Sequence, residues 1–403
     1  MAVFNANDQM PTGADGLMPF RQNNDLLYLS GIDQEETILL IFPDFYHAKQ
    51  REILFIKETS ALIAIWEGHK FTKEEARDIS GIAEVHWVSE FKQVFNTLMA
   101  EAKHIYLNTN EHIRAVVEVE TRDARFGKWC RDHYPNHQYD RSAPLMHQLR
   151  AIKSDEEVKM LQIGCDITEK AFRRVLKFIK PGVLEYEIQA EYMHEFLMNR
   201  SRGFAYEPII ASGANACVLH YIENNRACKD GDVILMDVGA EYGNYNADMT
   251  RSVPVNGRFS LRQKDVYNAV LRVKRAAEAM LVPGNVIPKY HIEVGKIMEG
   301  ELLGLGLIDA TDIKNQDPKN PAFRKYFMHG TSHHLGLDVH DVGNTYRKME
   351  LGMVFTVEPG IYIPEENLGV RIEDNLVIRE DGLENLMGNI PIEVEEIEAL
   401  MNA

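Results

Sequence analysis

Cysteine is scarce in this sequence, and the little that occurs forms no recognisable site. Among the 403 residues there are only four cysteines, namely Cys130, Cys165, Cys217 and Cys228. Their spacing fits no Cys-x-x-Cys zinc pattern, and four thiols make no disulfide framework in a chain of this length. We therefore predict reduced, neutral thiols and a cytoplasmic location.

Long apolar runs and an excess of positive charge are also missing. The longest apolar runs, such as residues 38–42, are too short to cross a bilayer, and no basic region followed by an apolar stretch opens the chain. The 44 lysines and arginines are outnumbered by 61 aspartates and glutamates, for a formal net charge of −17. Such an acidic balance argues against nucleic acid or an anionic membrane as a partner.

Two regions of different character follow each other, with a boundary near residue 150. The first mixes helical patterns, such as residues 91–102, with short β-type runs. These runs are residues 37–42, 52–56, 85–88 and 104–107. The second region opens with a capping box formed by Ser154 and Glu157. We predict an α/β (α+β) protein with a smaller domain at residues 1–150 and a larger one at 151–403.

The second region repeats its own order of elements. Each half begins with a capping box and a long helix that stops at a Pro-Gly pair, at residues 181–182 and 283–284. A shorter amphipathic helix, a segment with a prominent histidine and two strands joined by a turn follow in each half. The match concerns element order and not residue identity. A duplication of this kind would place the two strand pairs about a pseudo-two-fold axis.

Four carboxylates accompany these strand pairs: Asp237 and Asp248 in the first, Glu358 and Glu373 in the second. One acid at the end of a buried strand could simply make a turn or a salt bridge. Two such acids, each followed by another across a hairpin, favour a shared site, because buried carboxylates are costly unless they are paired or bind a metal. With His333 they form a donor set that suits Mn²⁺, Fe²⁺, Co²⁺ or Zn²⁺. Two such ions can hold a bridging hydroxide and polarise a carbonyl for hydrolysis.

Strand periodicity separates the residues around Glu373. Side chains alternate between faces along a strand, so Arg371 and Glu373 share a face and Asp374 lies on the other. Asp374 is therefore the weaker ligand candidate. Arg371 could orient a metal-site carboxylate, clamp an anionic substrate group, or make a surface salt bridge.

These motifs resemble those of the pita-bread metallopeptidases, which include methionine aminopeptidase, aminopeptidase P and prolidase. The segments that match the family's five metal-binding motifs, in order, are residues 236–239, 247–251, 329–333, 357–360 and 371–374. The resemblance implies two divalent ions per subunit, with Mn²⁺ as first choice and Zn, Co or Fe as alternatives. The ligands it implies are Asp237, Asp248, His333, Glu358 and Glu373.

The resemblance also implies roles for residues around the ions. Glu358 would take the proton from the attacking water, and three histidines would stabilise the substrate and the intermediate. These histidines are His220, His329 and His340. Tyr362 and Arg371 would line the leaving-group side.

Within this family, the N-terminal region resembles that of aminopeptidase P. Residues 19–31 carry the resemblance, and Ser332 stands where prolidases commonly have glycine. Asp15 and Trp66 match positions that reach a neighbouring subunit's active site in a homodimer or homotetramer, although a turn aspartate and a core tryptophan are the simpler alternatives. The opening helix of the family has no match before Met1, so a shortened start of this domain is expected.

The resemblance implies a metal-dependent aminopeptidase that hydrolyses the Xaa-Pro bond of peptides with proline at position two, through a hydroxide bridging the two cations. Prolidase, which acts on Xaa-Pro dipeptides, is the alternative enzyme. A non-catalytic relative that acts as a binding protein is a more distant alternative, because all five ligand positions are kept and the chain is acidic.

Overall fold

The chain divides into two units, Met1–Leu149 and Arg150–Ala403. The computed structural model describes residues 1–112 and 114–403.

The N-terminal unit is built around a six-stranded sheet. Its strands are β1 (Ala2–Asn5), β2 (Ile38–Ile41), β3 (Glu52–Ile56), β4 (Glu84–Trp87), β5 (His104–Leu107) and β6 (Gln138–Arg141). Its helices are α1 (Asn24–Ser30), α2 (Ala61–Glu67), α3 (Lys73–Ser80), α4 (Phe91–Met99) and α5 (Arg122–His133), and α6 (Ala143–Ala151) contains the division between the units. The strand order is β4-β3-β2-β1-β5-β6.

Both faces of this sheet are buried, which explains its continuous apolar strands. Val3 and Phe55 point into one core, whereas Phe4 and Leu54 point into the other. Four strands agree with the predicted β-type runs to within a residue or so, while β1 and β6 were not predicted. The helix predicted at residues 91–102 ends earlier, at Met99.

The C-terminal unit contains two halves of similar element order. Its strands are β7 (Ile209–Ser212), β8 (Val233–Val238), β9 (Glu241–Tyr242), β10 (Tyr245–Asn246), β11 (Met249–Pro254), β12 (Val354–Val357), β13 (Gly360–Ile363), β14 (Leu368–Arg371), β15 (Asp374–Arg379) and β16 (Gly382–Asn385). Its helices are α7 (Asp155–Phe178), α8 (Glu185–Met198), α9 (Leu261–Glu278), α10 (Ile287–Gly304), α11 (Ala310–Asn315) and α12 (Val394–Met401).

Each half carries one three-stranded antiparallel sheet with a small hairpin nested beside it. The first sheet has the order β11-β8-β7 and the second β12-β15-β16. The nested hairpins are β9–β10 and β13–β14. The first predicted strand pair is present as β8 and β11. In the second half β12 pairs with β15, whereas the strand predicted to carry Arg371 and Glu373 ends at Arg371 as β14 and pairs with β13. The prediction of a shorter second helix is wrong for the second half, because α9 and α10 both have 18 residues.

Close backbone contact holds the first strand pair together at its turn. A Cβ atom at Gly239 would lie 1.8 Å from the Ala247 carbonyl oxygen, so only glycine fits directly after β8.

Elsewhere in the structure, all four cysteines have free thiols. Within the described residues, none of the helices combines the length and the apolar character needed to cross a membrane.

Candidate metal centre

Asp237 and Asp248 are placed by the antiparallel pairing of β8 and β11. Asp237 is the second-last residue of β8 and pairs with Thr250 on one side and Ile209 on the other. Asp248 directly precedes β11, and the Asn375 side chain fixes its backbone. The Asp248 N–H donates to Asn375 Oδ1 at 3.0 Å, and Asn375 Nδ2 donates to the Asp248 carbonyl at 2.6 Å.

Glu358 and Glu373 are placed by the second half. Glu358 follows β12, and its N–H donates to the Thr331 carbonyl at 2.8 Å. Glu373 lies between β14 and β15, and its N–H donates to the Thr250 carbonyl at 3.0 Å. Since Thr250 belongs to β11, this bond joins the two halves at the point where their acids meet.

The five predicted ligands converge. Asp248, His333 and Glu373 each offer a ligand atom within 4.8 Å of the others. His333 Nε2 lies 3.4 Å from Asp248 Oδ2 and 3.5 Å from Glu358 Oε1. His333 Nδ1 is 2.9 Å from the His334 carbonyl, which can only accept, so Nδ1 carries a proton in that bond and Nε2 faces the carboxylates.

Asp237 is connected to this group through a tyrosine. The Tyr206 hydroxyl lies 2.5 Å from Asp237 Oδ1 and 2.7 Å from Asp248 Oδ1, so it bridges the two carboxylates. Burial and the neighbouring acids hold the pKa of Tyr206 well above its ordinary value, which keeps the hydroxyl a donor.

The centre has too little positive charge for its acids. Burial, opposed by Arg371, raises the pKa of Asp237. Burial, opposed by His333 and aided by Asp248, raises the pKa of Glu358 to about 7. Burial and the charges of Asp248 and Glu358 raise the pKa of Glu373 well above its usual range. Divalent cations would supply the missing charge.

One oxygen of Glu373 supports the same conclusion. Glu373 Oε2 accepts a hydrogen bond from Thr250 Oγ1 at 2.7 Å, whereas the buried Oε1 has no hydrogen-bond partner among the described residues. A buried carboxylate oxygen without a partner is costly and calls for an explanation such as an ion. Asp248, His333 and Glu373 therefore fit a divalent cation in geometry, and Asp237 and Glu358 beside them add oxygen donors of the chemistry that such ions accept.

Arg371, Tyr362 and His329 form a chain of hydrogen bonds beside the acids. Arg371 donates from Nη2 to Asp237 Oδ2 at 2.5 Å and from Nη1 to the Tyr362 hydroxyl at 2.8 Å. The Tyr362 hydroxyl lies 2.8 Å from His329 Nε2, and His329 Nδ1 lies 2.7 Å from the Gly330 carbonyl. Burial and the Arg371 charge lower the pKa of His329 to about 3, so this ring is neutral and Nε2 accepts from Tyr362.

Arg371 and Glu373 lie on the same side, as predicted, although the single strand predicted to carry them ends at Arg371. Arg371 Nε donates to Thr250 Oγ1 at 3.0 Å, and the same Thr250 hydroxyl donates to Glu373, so both side chains lie on one side. Asp374 lies on the other side, where it pairs with Arg251 and Lys274 at 2.6 Å each. Arg371 is buried, which excludes the surface salt bridge.

The two remaining histidines lie near the ligands in different ways. The His340 ring centroid is 4.2 Å from that of His333. His220 is exposed in a turn, and its charge contributes to the lowered pKa of His329. Their roles toward a substrate stay predictions.

Asp15 and Trp66 belong to the N-terminal unit. Asp15 is exposed in an irregular segment, and Trp66 is 82% exposed on α2. The alternative of a core tryptophan is therefore wrong. Contact of either residue with a second subunit stays a prediction.

Three residues of the centre were given no role by sequence reasoning. Nothing in the sequence pointed to Tyr206, because only the pairing of β7 with β8 brings it to the acids. Thr250 could have been predicted, since strand alternation places it on the same side as Asp248. Asn375 had none, because its bonds to Asp248 cross between the two halves.

Comparison with known proteins adds to this geometry. Residues 159–380 match the model of metallopeptidase family M24, and residues 1–106 match that of the aminopeptidase P N-terminal domain. A Xaa-Pro aminopeptidase of Escherichia coli (strain K12) is 37% identical, with 100% of this chain and 93% of the relative covered. One of Haemophilus influenzae is 35% identical, with 96% and 90% covered.

Solved structures are similar over the whole chain. The aminopeptidase PepP of Pseudomonas aeruginosa has a TM-score of 0.90 at 31% identity and covers 100% of this chain and 93% of its own. Zinc-substituted E. coli aminopeptidase P in complex with product has a TM-score of 0.87 at 35% identity, with the same coverage. These similarities confirm the resemblance and the expected fold class, a pita-bread domain preceded by a smaller α/β domain.

Proposed function

Because the chain belongs to metallopeptidase family M24, we propose that it removes the first residue from peptides whose second residue is proline. The observation that carries this proposal is the convergence of Asp248, His333 and Glu373, with Asp237 and Glu358 beside them. The relatives named as Xaa-Pro aminopeptidases, at 35% and 37% identity, support the aminopeptidase over the dipeptidase.

The cofactor we propose is a pair of divalent ions, with Mn²⁺ as first choice. The ligands would be Asp237, Asp248, His333, Glu358 and Glu373. When bound, such ions activate a water molecule and polarise the scissile carbonyl. Oxygen-rich donor sets suit Mn²⁺, and they also accept Zn²⁺, Co²⁺ or Fe²⁺.

The protein's own side chains would divide the remaining tasks. Glu358 would accept the proton of the attacking water, the role that the family resemblance implies for it, and it lies beside His333 and His329 at 3.5 Å and 3.8 Å. Arg371 would hold Asp237 and Tyr362 in place on the leaving-group side. His220 and His340 would donate hydrogen bonds to the substrate and to the charge that develops on its carbonyl oxygen.

The substrate class follows from the chemistry of the bond. Proline makes the scissile amide tertiary and fixes its ring, so a dedicated pocket is an effective way to present it. We propose that Asp15 and Trp66 complete that pocket from a second subunit of a homodimer or homotetramer. A cytoplasmic location fits peptide turnover of this kind and stays a prediction.

The test compares Ala-Pro-Ala with Ala-Pro, each with purified protein and added Mn²⁺. We expect the tripeptide to be cut after its first residue, and turnover of the dipeptide alone would establish prolidase instead. Asp248→Asn should lose both metal and activity, measured by elemental analysis and product release. A wild-type protein that binds no divalent ion would support a non-catalytic binding protein.

A further inference from the structure

Glu185 is a fully buried carboxylate outside the metal centre. It is the first residue of α8, and its relative exposure is 0%. A buried carboxylate is costly unless its oxygens are satisfied by hydrogen bonds. Its position therefore calls for a reason beyond helix formation.

The carboxylate is satisfied by uncharged donors. Glu185 Oε1 accepts from the Ser212 N–H and the Ser212 hydroxyl, both at 2.7 Å, and from Asn215 Nδ2 at 3.4 Å. Glu185 Oε2 accepts from the Tyr221 hydroxyl at 2.7 Å and from the Arg226 N–H at 2.9 Å. Hydrogen bonds to a charged acceptor are the stronger kind, and each one loses a buried partner if it is broken.

These donors belong to one segment, residues 212–226, which we call the histidine loop. Ser212 lies at its start, Tyr221 beside its exposed His220, and Arg226 at its end. Glu185 therefore holds the histidine loop at both ends and also beside His220, the residue that the proposed function uses. His220 itself stays accessible, whereas its neighbour Tyr221 is only 8% exposed.

The histidine loop also packs against the leaving-group side of the metal centre. Ala216 and Tyr221 share an apolar cluster with the buried ring of Tyr362. A Cβ atom at Gly369 would lie 2.2 Å from the Ala216 carbonyl oxygen, so the loop touches the β13–β14 hairpin directly. The loop that carries His220 therefore lies against the hairpin that carries Tyr362.

We propose that Glu185 is a positioning residue, which holds the histidine loop so that His220 faces the scissile bond. This inference rests on the proposed function. Glu185 acts through Tyr221, Ser212 and Arg226, and it touches neither substrate nor metal.

The experiment is a double-mutant cycle between Tyr221→Phe and His220→Ala. Tyr221→Phe removes the bond to Glu185 beside His220 and the weaker 3.4 Å bond that the hydroxyl accepts from the Asn225 N–H, and it keeps the bonds that Ser212 and Arg226 donate to Glu185. We expect it to lower kcat/KM for Ala-Pro-Ala by about tenfold with metal content unchanged, the size expected for one buried charged hydrogen bond. In the His220→Ala background it should cause little further loss, because the residue that it positions is already gone.

The matched control is Tyr267→Phe. Tyr267 lies on α9, and its buried hydroxyl donates to the Ile392 carbonyl at 2.7 Å. The kcat/KM of this variant should equal that of the wild type. The proposal would be overturned if Tyr267→Phe lowered kcat/KM as much as Tyr221→Phe does. It would also be overturned if Tyr221→Phe lowered kcat/KM by the same factor with and without His220, or did not lower it at all.

Hydrogen–deuterium exchange separates this proposal from the proposed function. Tyr221→Phe and the harsher Glu185→Gln should both speed exchange in residues 212–226, with the rest of the unit unchanged. If the wild type cuts no Xaa-Pro peptide, the proposed function fails on its own, and faster exchange still supports the loop-holding role. Unchanged exchange in both variants would overturn that role whatever the activity.

Discussion

Tyr206 ties two carboxylates of the metal centre together through one hydroxyl group. A metal ligand that is hydrogen-bonded on its other oxygen keeps its orientation, and such outer bonds strengthen metal binding. Both bonds are short, 2.5 Å to Asp237 and 2.7 Å to Asp248. Tyr206 therefore supports both acids of the first half although it is not itself a ligand.

Tyr206→Phe should weaken Mn²⁺ binding by about 10- to 100-fold, because it removes the one O–H donor that Asp237 and Asp248 share. The measurement is a competitive titration of Mn²⁺ against a chelating dye. Tyr192→Phe is the control. The buried Tyr192 hydroxyl lies 3.7 Å from Sδ of Met236, which is on the same strand as Asp237, and its recorded partner is this sulfur and not a proposed metal ligand. Equal affinities in the two variants would exclude a supporting role for Tyr206.

At the scale of elements, β15 is anchored by a buried ion pair on the side away from the metal centre. Asp374 pairs with Arg251 of β11 and Lys274 of α9, and all three side chains are at most 2% exposed. These partners, opposed by burial, lower the pKa of Asp374. These three charges fix the strand that begins directly after Glu373, so they hold this proposed ligand through the backbone.

Lys274→Met should lower the free energy of unfolding by about 3 kcal/mol, because it leaves a buried carboxylate with one cation fewer. Urea unfolding followed by circular dichroism measures this change. On the same helix, Arg275 pairs with Glu393 at the surface and is 56% exposed. Arg275→Met should cost less than about 1 kcal/mol, and equal costs in the two variants would contradict this reasoning.

The segment between His333 and β12 is held by a second buried ion group. Asp341 lies 2.6 Å from Arg150 Nη2 and 2.9 Å from Lys153 Nζ. Burial by itself would raise the pKa of Asp341, but the charges of Lys153 and Arg150 outweigh it and lower the value to about 2. The folded-state pKa thus lies below the ordinary aspartate value of 3.8, so the contribution to stability is present above that value and is lost as the pH falls toward 2.

The expected result is a pH-dependent difference between the wild type and Asp341→Asn. The difference in the free energy of unfolding should be constant above about pH 5 and should shrink as the pH falls below about 4. Urea unfolding at several pH values measures it. Asp155→Asn, at a position that is 76% exposed, should give a difference near zero throughout. If the difference in the free energy of unfolding grew as the pH fell, the lowered pKa of Asp341 would be contradicted.

At the scale of the whole molecule, the metal centre concentrates acids in a chain whose formal net charge is already −17. The folded protein must hold these carboxylates close together, whereas the unfolded chain keeps them apart in water. Bound cations therefore link metal content to the stability of the fold.

Added Mn²⁺ should raise the melting temperature of metal-free protein, and a chelator should lower that of the loaded protein. At about 100 times its Kd, an ion that binds only the folded state adds about 2.7 kcal/mol. Differential scanning fluorimetry measures the shift. Asp248→Asn should show a much smaller response, and an equal shift in both proteins would place the ion elsewhere.

Assembly of subunits gives a further prediction. If Trp66 completes a neighbour's active site, Trp66→Ala should lower kcat/KM while metal content stays unchanged. Mixed oligomers of Trp66→Ala and Glu373→Ala subunits should then be more active than the average of the two variants, because one site in each pair is intact. Activity equal to the average would show that Trp66 does not act across subunits.

Most of the metal centre could be predicted because its signals are local. An acid inside an apolar strand stands out in its own segment, and strand alternation separates Glu373 from Asp374 without any knowledge of neighbours. The strands β1 and β6 were harder to predict. β1 has only two large apolar residues, Val3 and Phe4, and β6 reads Gln-Tyr-Asp-Arg, which carries no apolar pattern.

The amino-acid sequence by itself indicated the acids at the strand ends and the side that Arg371 shares with Glu373, since each signal depends on residues close together along the chain. The tertiary structure alone decided that Tyr206 bridges Asp237 and Asp248 and that Glu185 holds the histidine loop. These contacts join residues 27 or more positions apart. No periodicity reports such contacts, because they arise only when separate strands and helices pack together.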